Sequence, residues 1–176
     1  AAEDNFSQAQ QVYGDEESGV FVVNRAIDAL RLRNDLLVGL LADSDMSNGQ
    51  MIAAQAASAI NRMASPGGGF DLAGAVDGAI RALDDPSDDV RIPCCYALSK
   101  LRPAAASDAL VRIVAEGDAA SVDLRKAALI ALGNIHRGAG AGNVAPAVVE
   151  VLAAAMETSE VDLIQAASRA MGLIGN

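Results

Sequence analysis

The chain is short of the residues from which most active sites and large cores are built. It has no tryptophan, three phenylalanines and two tyrosines among 176 residues. A core of large aromatic blocks is therefore excluded, and apolar volume has to come from many small contacts. His136 is the single histidine. Any triad or zinc site that needs more than one histidine is excluded by count. The two cysteines, Cys94 and Cys95, are neighbours in sequence and make no disulfide framework. No apolar run approaches the ~18 residues that span a bilayer, and no secretory signal is visible. Basic residues are scarce as well: 13 Lys and Arg stand against 23 Asp and Glu, a formal charge of -10. A basic groove that neutralises phosphates is therefore disfavoured. These shortages predict a cytoplasmic protein with neither a nucleic-acid nor a membrane partner.

What is present is a repeat. Leu124, Ala128, Ala131, Leu132 and Ile135 fall at i, i+4, i+7, i+8 and i+11, one face of an α-helix. The same order of large, small and charged residues recurs over 90–101 and 163–174, and more weakly over 52–63. The offsets from Ile52 to Val90, Leu124 and Leu163 are 38, 34 and 39 residues. Self-similarity at that period means stacked helical pairs. Small side chains at 94, 95, 97, 127, 128, 131, 166, 167 and 170 let helix backbones approach closely. Larger ones at 90, 98, 101, 124, 132, 135, 163, 171 and 174 fill the space between. A helix held between its partner and two neighbouring repeats needs a wide apolar arc, which this pattern supplies.

The punctuation places the helices. Residues 1–34 read as an N-terminal cap or degenerate repeat, and the repeats follow at 35–65, 71–102, 103–137 and 143–176, all one domain. The run Ser65-Pro66-Gly67-Gly68-Gly69 is a loop, after which Asp71 sits where an N-cap belongs. Pro93 predicts a late start or a kink in its helix. Gly117-Asp118 breaks the next first helix, and Ser121 caps the helix after it. Asn143 can cap the following helix, and Pro146 suits its first turn.

The residues Asp89-Val90-Arg91…Ala97-Leu98, Leu124-Arg125-Lys126-Ala127-Ala128…Ala131-Leu132-Gly133-Asn134-Ile135 and Ala170-Met171-Gly172-Leu173-Ile174 resemble HEAT or HEAT-like repeats, including the short variety of phycobilisome lyase-type proteins. The resemblance implies an all-α, right-handed α-α superhelix of about four helical pairs plus the N-terminal cap. Its second helices would line the concave face. Members of that family mostly bind other proteins, and a few are enzymes.

Several residue groups carry candidate chemistry. His136 lies at a helix end, where a partly cationic ring suits the dipole. Cys94-Cys95 occupies the slots of Ala128-Leu129 and reads as buried thiols rather than a redox pair. Asp84, Asp85, Asp88 and Asp89 match no EF-hand spacing and read as caps. The loop 138–142 is glycine-rich but follows a helix, so it lacks the strand that a phosphate-binding fingerprint needs. Arg91 and Arg125 share a repeat position. They read either as an internal ladder, paired with acids of neighbouring turns such as Asp89 and Asp123, or as exposed guanidiniums for an acidic partner.

Tyr96, Lys100, Asn134, Arg137 and Arg169 fall on the outward arc of the second helices, where an exposed Tyr among cations makes a contact surface. The last helix ends in Leu163, Ala167, Ala170, Met171 and Ile174 with nothing polar to cover it. Met171 and Ile174 are therefore expected on a self-association or docking surface. The reading is a non-enzymatic scaffold that binds another protein, with a homodimer through the last helix as one form, and with no cofactor or metal. The alternatives are an accessory subunit of a bilin lyase-type or other enzyme complex, and a repeat segment of a larger regulatory protein.

Overall fold

A computed structural model describes residues 57, 58, 60, 61 and 73–175. The expected cap over 1–34, most of the repeat at 35–65 and the Asp71 cap lie outside the described residues. Every regular element within them is helical. In chain order the α-helices are α1 (Ala73–Arg81), α2 (Asp88–Leu101), α3 (Ser107–Ala115), α4 (Val122–Ile135), α5 (Pro146–Met156) and α6 (Val161–Ile174). None is long and apolar enough to cross a membrane.

The helices pair as α1 with α2, α3 with α4, and α5 with α6, and the pairs stack. Two layers result. The second helices α2, α4 and α6 touch one another far more extensively than the first helices do. The cause is side-chain size. Ala97, Ala127, Ala128, Ala131, Ala166, Ala167 and Ala170 are all buried in the second-helix layer, together with Cys94 and Cys95. The closest approach is at Gly133, where an added β-carbon would stand 2.6 Å from Ala170 Cα. Leu98, Leu124 and Leu132 are wholly buried and fill the seam between the layers. Each contributes roughly 1.5–3 kcal/mol through burial.

The ends of the helices follow the local residues. Ser121 Oγ accepts from the Leu124 amide at 3.2 Å, the expected cap of α4. Gly117 (φ 58) turns the chain after α3. Pro146 opens α5. Asn143 does not cap it: Ala145 holds the N-cap position, and Asn143 Nδ2 donates back to the Ala139 carbonyl at 2.9 Å.

Pro93 does not delay α2, which runs unbroken from Asp88 with Pro93 inside it. Proline is the sixth residue of that helix. The one backbone bond it removes would end on the Asp89 carbonyl, in the first turn. Asp89 is exposed, so water can take that carbonyl.

The last helix also differs from expectation. Leu163, Ala167, Ala170 and Ile174 are at most 1% exposed, turned into the seam with α4 and α5. The exposed residues of α6 are Val161, Asp162, Gln165, Ser168, Arg169 and Gly172, and Ile164, Met171 and Leu173 are half-buried. Of the two residues expected on an outer surface, Ile174 belongs to this inner face and Met171 is half-buried. The C-terminal carbonyls of α6 are capped by a distant loop. Gly138 N donates to Leu173 O at 2.9 Å and Gly140 N to Ile174 O at 3.0 Å. Both glycines have positive φ, 72° and 77°. The glycine-rich loop is thus a helix cap supplied by the preceding repeat.

Candidate functional site: the face of the second helices

The second helices start 34 and then 39 residues apart, so equivalent positions can be matched. On α4 the residues open to solvent on the side away from α3 are Asp123, Lys126, Ile130 and Asn134, spaced as one helical face. Their equivalents form columns across the stack. The first column is Asp89, Asp123 and Asp162, all exposed. The next is Ile92, Lys126 and Gln165. The third is Tyr96, Ile130 and Arg169. The last is Lys100, Asn134 and Leu173. The acids lie at the helix N-termini and the cations towards the C-termini, each where the helix dipole favours it.

Hydrogen bonds between neighbouring helices lace this face. Lys126 Nζ donates to Asp162 Oδ2 at 2.7 Å, and this partner holds the ammonium above the ordinary lysine value. Asn134 Nδ2 donates to Ser99 Oγ at 2.9 Å and to Ile130 O at 3.1 Å. Arg137 donates to Asn134 Oδ1 at 2.8 Å. Lys100 Nζ reaches the Asn61 carbonyl at 2.7 Å.

The structure thus brings Tyr96, Lys100, Asn134, Arg137 and Arg169 to one surface. Asn134 has both ends of its amide occupied within the chain and acts as a brace between helices. Met171 is half-buried, and Ile174, 1% exposed, is core rather than surface. Ile92 and Ile130 went unnoticed in the sequence. Both are half-buried, pack against the core and present an apolar patch beside Tyr96. The repeat register was the signal that could have found Ile130, which shares a column with Tyr96.

The other candidate groups have structural partners. Burial, with Asp85 adding to it, pushes the Cys94 thiol up to about 12, and burial pushes Cys95 higher still. Neither is a nucleophile at neutral pH. Asp85 accepts from the Ser87 amide at 2.8 Å, and Asp84 faces Arg112 at 3.4 Å. His136 closes α4 with Nε2 2.9 Å from Ser107 Oγ of α3. Burial lowers its pKa below the ordinary histidine value, the opposite direction to that expected from the dipole at a helix end.

The Arg ladder exists, with other acids than Asp89 and Asp123. Arg91 donates to Leu83 O at 3.0 Å and to Glu116 Oε1 at 2.6 Å, and Asp88 lies 3.8 Å away. Arg125 faces Asp118 at 3.5 Å. Both guanidiniums reach the turn at 116–118, from opposite sides.

The profile of the HEAT repeat family matches residues 76–172. The chain belongs to that family. No curated protein matches it. Solved structures do. A designed armadillo repeat protein in complex with the peptide (KR)4 aligns with a TM-score of 0.62 at 19% identity, covering 92% of this chain and 77% of that one. A computationally designed armadillo repeat protein for modular peptide recognition aligns at 0.60 with 20% identity, covering 97% and 82%. At these identities the likeness is one of fold: a HEAT-like chain stacked as an armadillo-like solenoid.

Proposed function

We propose that this HEAT-like chain is a non-enzymatic scaffold that lays a segment of another protein across its second-helix face. The observation that carries the reading is the column structure of that face. An apolar patch of Ile92, Tyr96 and Ile130 lies between an edge of aspartates and an edge that carries Lys100 and, beside Asn134, Arg137. An aromatic anchor on an apolar centre with charged rims is the anatomy of a protein-binding surface. The designed armadillo neighbours support it from the side of fold, since one holds a (KR)4 peptide and another is described as made for peptide recognition. The acidic column and the net charge of -10 favour a segment with basic residues on that side. The residues proposed to make contact are Tyr96, Ile130, Lys100 and Arg169, with Arg137 at the rim. A homodimer through α6 has less to support it, because Ile174 is buried and only half-buried Met171 remains of the two side chains expected there.

A displayed random-peptide library tests the reading. Selected peptides should carry Lys or Arg beside an apolar residue. They should lose at least tenfold in affinity against Ile130→Glu and be unaffected by Ala153→Glu on the exposed side of α5. Binders that tolerate Ile130→Glu would place the contact elsewhere and overturn the assignment.

A further inference from the structure

Between the first helices, away from the second-helix face, lies a cavity of about 370 Å³. It opens between α3 and α5 and reaches down to α4. Val114, Leu129, Val151, Ala154, Ala155 and Leu163 make its apolar wall. Its volume is within the range of small-molecule sites. Arg125 lines it. That side chain is 8% exposed as a residue, and its Nε has no hydrogen-bond partner among the described residues. A buried guanidinium donor left unpaired is costly, and such groups call for an explanation.

Comparison with the preceding repeat supplies one. Arg91 holds the same position on α2 that Arg125 holds on α4. Arg91 has its Nε on the Leu83 carbonyl and its fork on Glu116, the residue that follows α3. For Arg125 both acceptors are missing. The preceding turn carries the left-handed Gly117 (φ 58), and no carbonyl there accepts from Nε. The buried faces of α3 and α5 match Ala109 to Val148 and Ile113 to Leu152, which sets Ala155 in the place of Glu116. Ala155 is buried and lines the cavity. The acid of this rung has been replaced by a methyl group, and the space it would fill is open. What remains for Arg125 is Asp118 at 3.5 Å, a fully exposed carboxylate.

We propose that the cavity binds a medium-chain aliphatic monocarboxylate. Its carboxylate completes the rung on Arg125, and its chain lies on the apolar wall. The chemistry is that of Arg91 with Glu116, with the acid brought by a ligand instead of the chain. Glu150 lines the cavity from an exposed position. It disfavours a second negative charge, so a dicarboxylate is a poorer fit.

Octanoate titrated into the whole protein, read by methyl NMR at Leu129, Ala154 and Leu163, tests this. Octanoate should shift those methyls saturably, and 1-octanol, octylammonium and suberate should bind at least tenfold more weakly. Ala155→Glu restores the missing rung from within. It should abolish octanoate binding while the thermal midpoint stays level or rises, which shows that the fold is intact. Arg125→Met should lose the preference for octanoate over 1-octanol. The proposal is overturned by equal binding of octanoate and 1-octanol, by unmoved methyls, or by an Ala155→Glu protein that still binds octanoate.

Discussion

The two layers of this solenoid are built from the same repeat and packed in opposite ways. In the second-helix layer, alanines and Gly133 bring the backbones of α4 and α6 almost into contact. In the first-helix layer, α3 and α5 stand far enough apart to leave a cavity. The difference teaches where tolerance lies. Close backbone contact leaves no room to adjust, whereas a layer with a gap absorbs change. Removing volume from each layer tests this most strongly. Leu132 is wholly buried between the layers, and Leu132→Ala should cost about 2–5 kcal/mol in urea unfolding. Val151 is half-buried beside the cavity, and Val151→Ala should cost about 1 kcal/mol or less. Equal losses would break the contrast.

Adding a single methyl group sharpens it. Gly133 and Gly172 hold the same repeat position on α4 and α6. A β-carbon at Gly133 meets Ala170 Cα at 2.6 Å, while at Gly172 nothing lies within 4 Å. Gly133→Ala forces two helices apart and should destabilise by about 1–3 kcal/mol, even after the better helix propensity of alanine is counted. Gly172→Ala has only the propensity gain and should stabilise by up to ~1 kcal/mol. Opposite signs from one substitution at equivalent positions would show that the neighbouring helix, not the glycine itself, decides. Thermal midpoints of the two variants measure it directly.

How much of this was readable beforehand depended on the distance over which each contact acts. The helix of Leu124–Ile135, its Ser121 cap and the break at Gly117 follow from local residue order, and the repeat multiplies that signal. The columns of the second-helix face follow too, because helical spacing fixes which side chains share a face. Spacing does not say which face meets solvent at the last helix, and Ile174, expected outside, is core. The partner of Arg91, 25 residues away in Glu116, depends on how one repeat sits on the next. The same holds for the loop amides of Gly138 and Gly140 that cap α6. Pro93 shows a finer limit. Its effect depends on which carbonyl it strands, and that requires the helix start to be known within a residue.

The two arginines compare a complete rung with an incomplete one, and exchange for methionine should separate them. Arg91→Met removes two hydrogen bonds and strands the Leu83 carbonyl. It should cost about 1–2 kcal/mol, the Glu116 contact being discounted because that carboxylate is about one-third exposed. Arg125→Met removes a buried charge whose Nε is unpaired and whose acid is fully exposed. Replacing such a group by an apolar one of similar length is often neutral or stabilising. Denaturation midpoints below wild type for Arg91→Met but not for Arg125→Met would bear out the difference. A larger loss at Arg125 would mean that its guanidinium is better served than its geometry shows.

The smallest effect concerns the seam between the layers, where His136 of the α4 terminus meets Ser107 at the start of α3. Burial lowers the pKa of this histidine below its ordinary value of 6.5. The unfolded chain therefore takes up a proton at a higher pH than the folded chain does. The histidine's contribution to stability is whole above about pH 6.5 and declines as the pH falls through the window between the unfolded and folded values. Urea midpoints recorded from pH 7.5 down to pH 5.5 should fall on this account, and His136→Asn should flatten that part of the curve. Ser107→Ala removes the hydrogen bond but leaves the burial. It should cost about 1 kcal/mol at neutral pH and keep most of the slope, since desolvation rather than the hydroxyl lowers the titration. A slope that vanished with Ser107→Ala would instead assign the effect to the bond across the seam. The two layers would then be coupled by a proton-sensitive contact and not by burial alone.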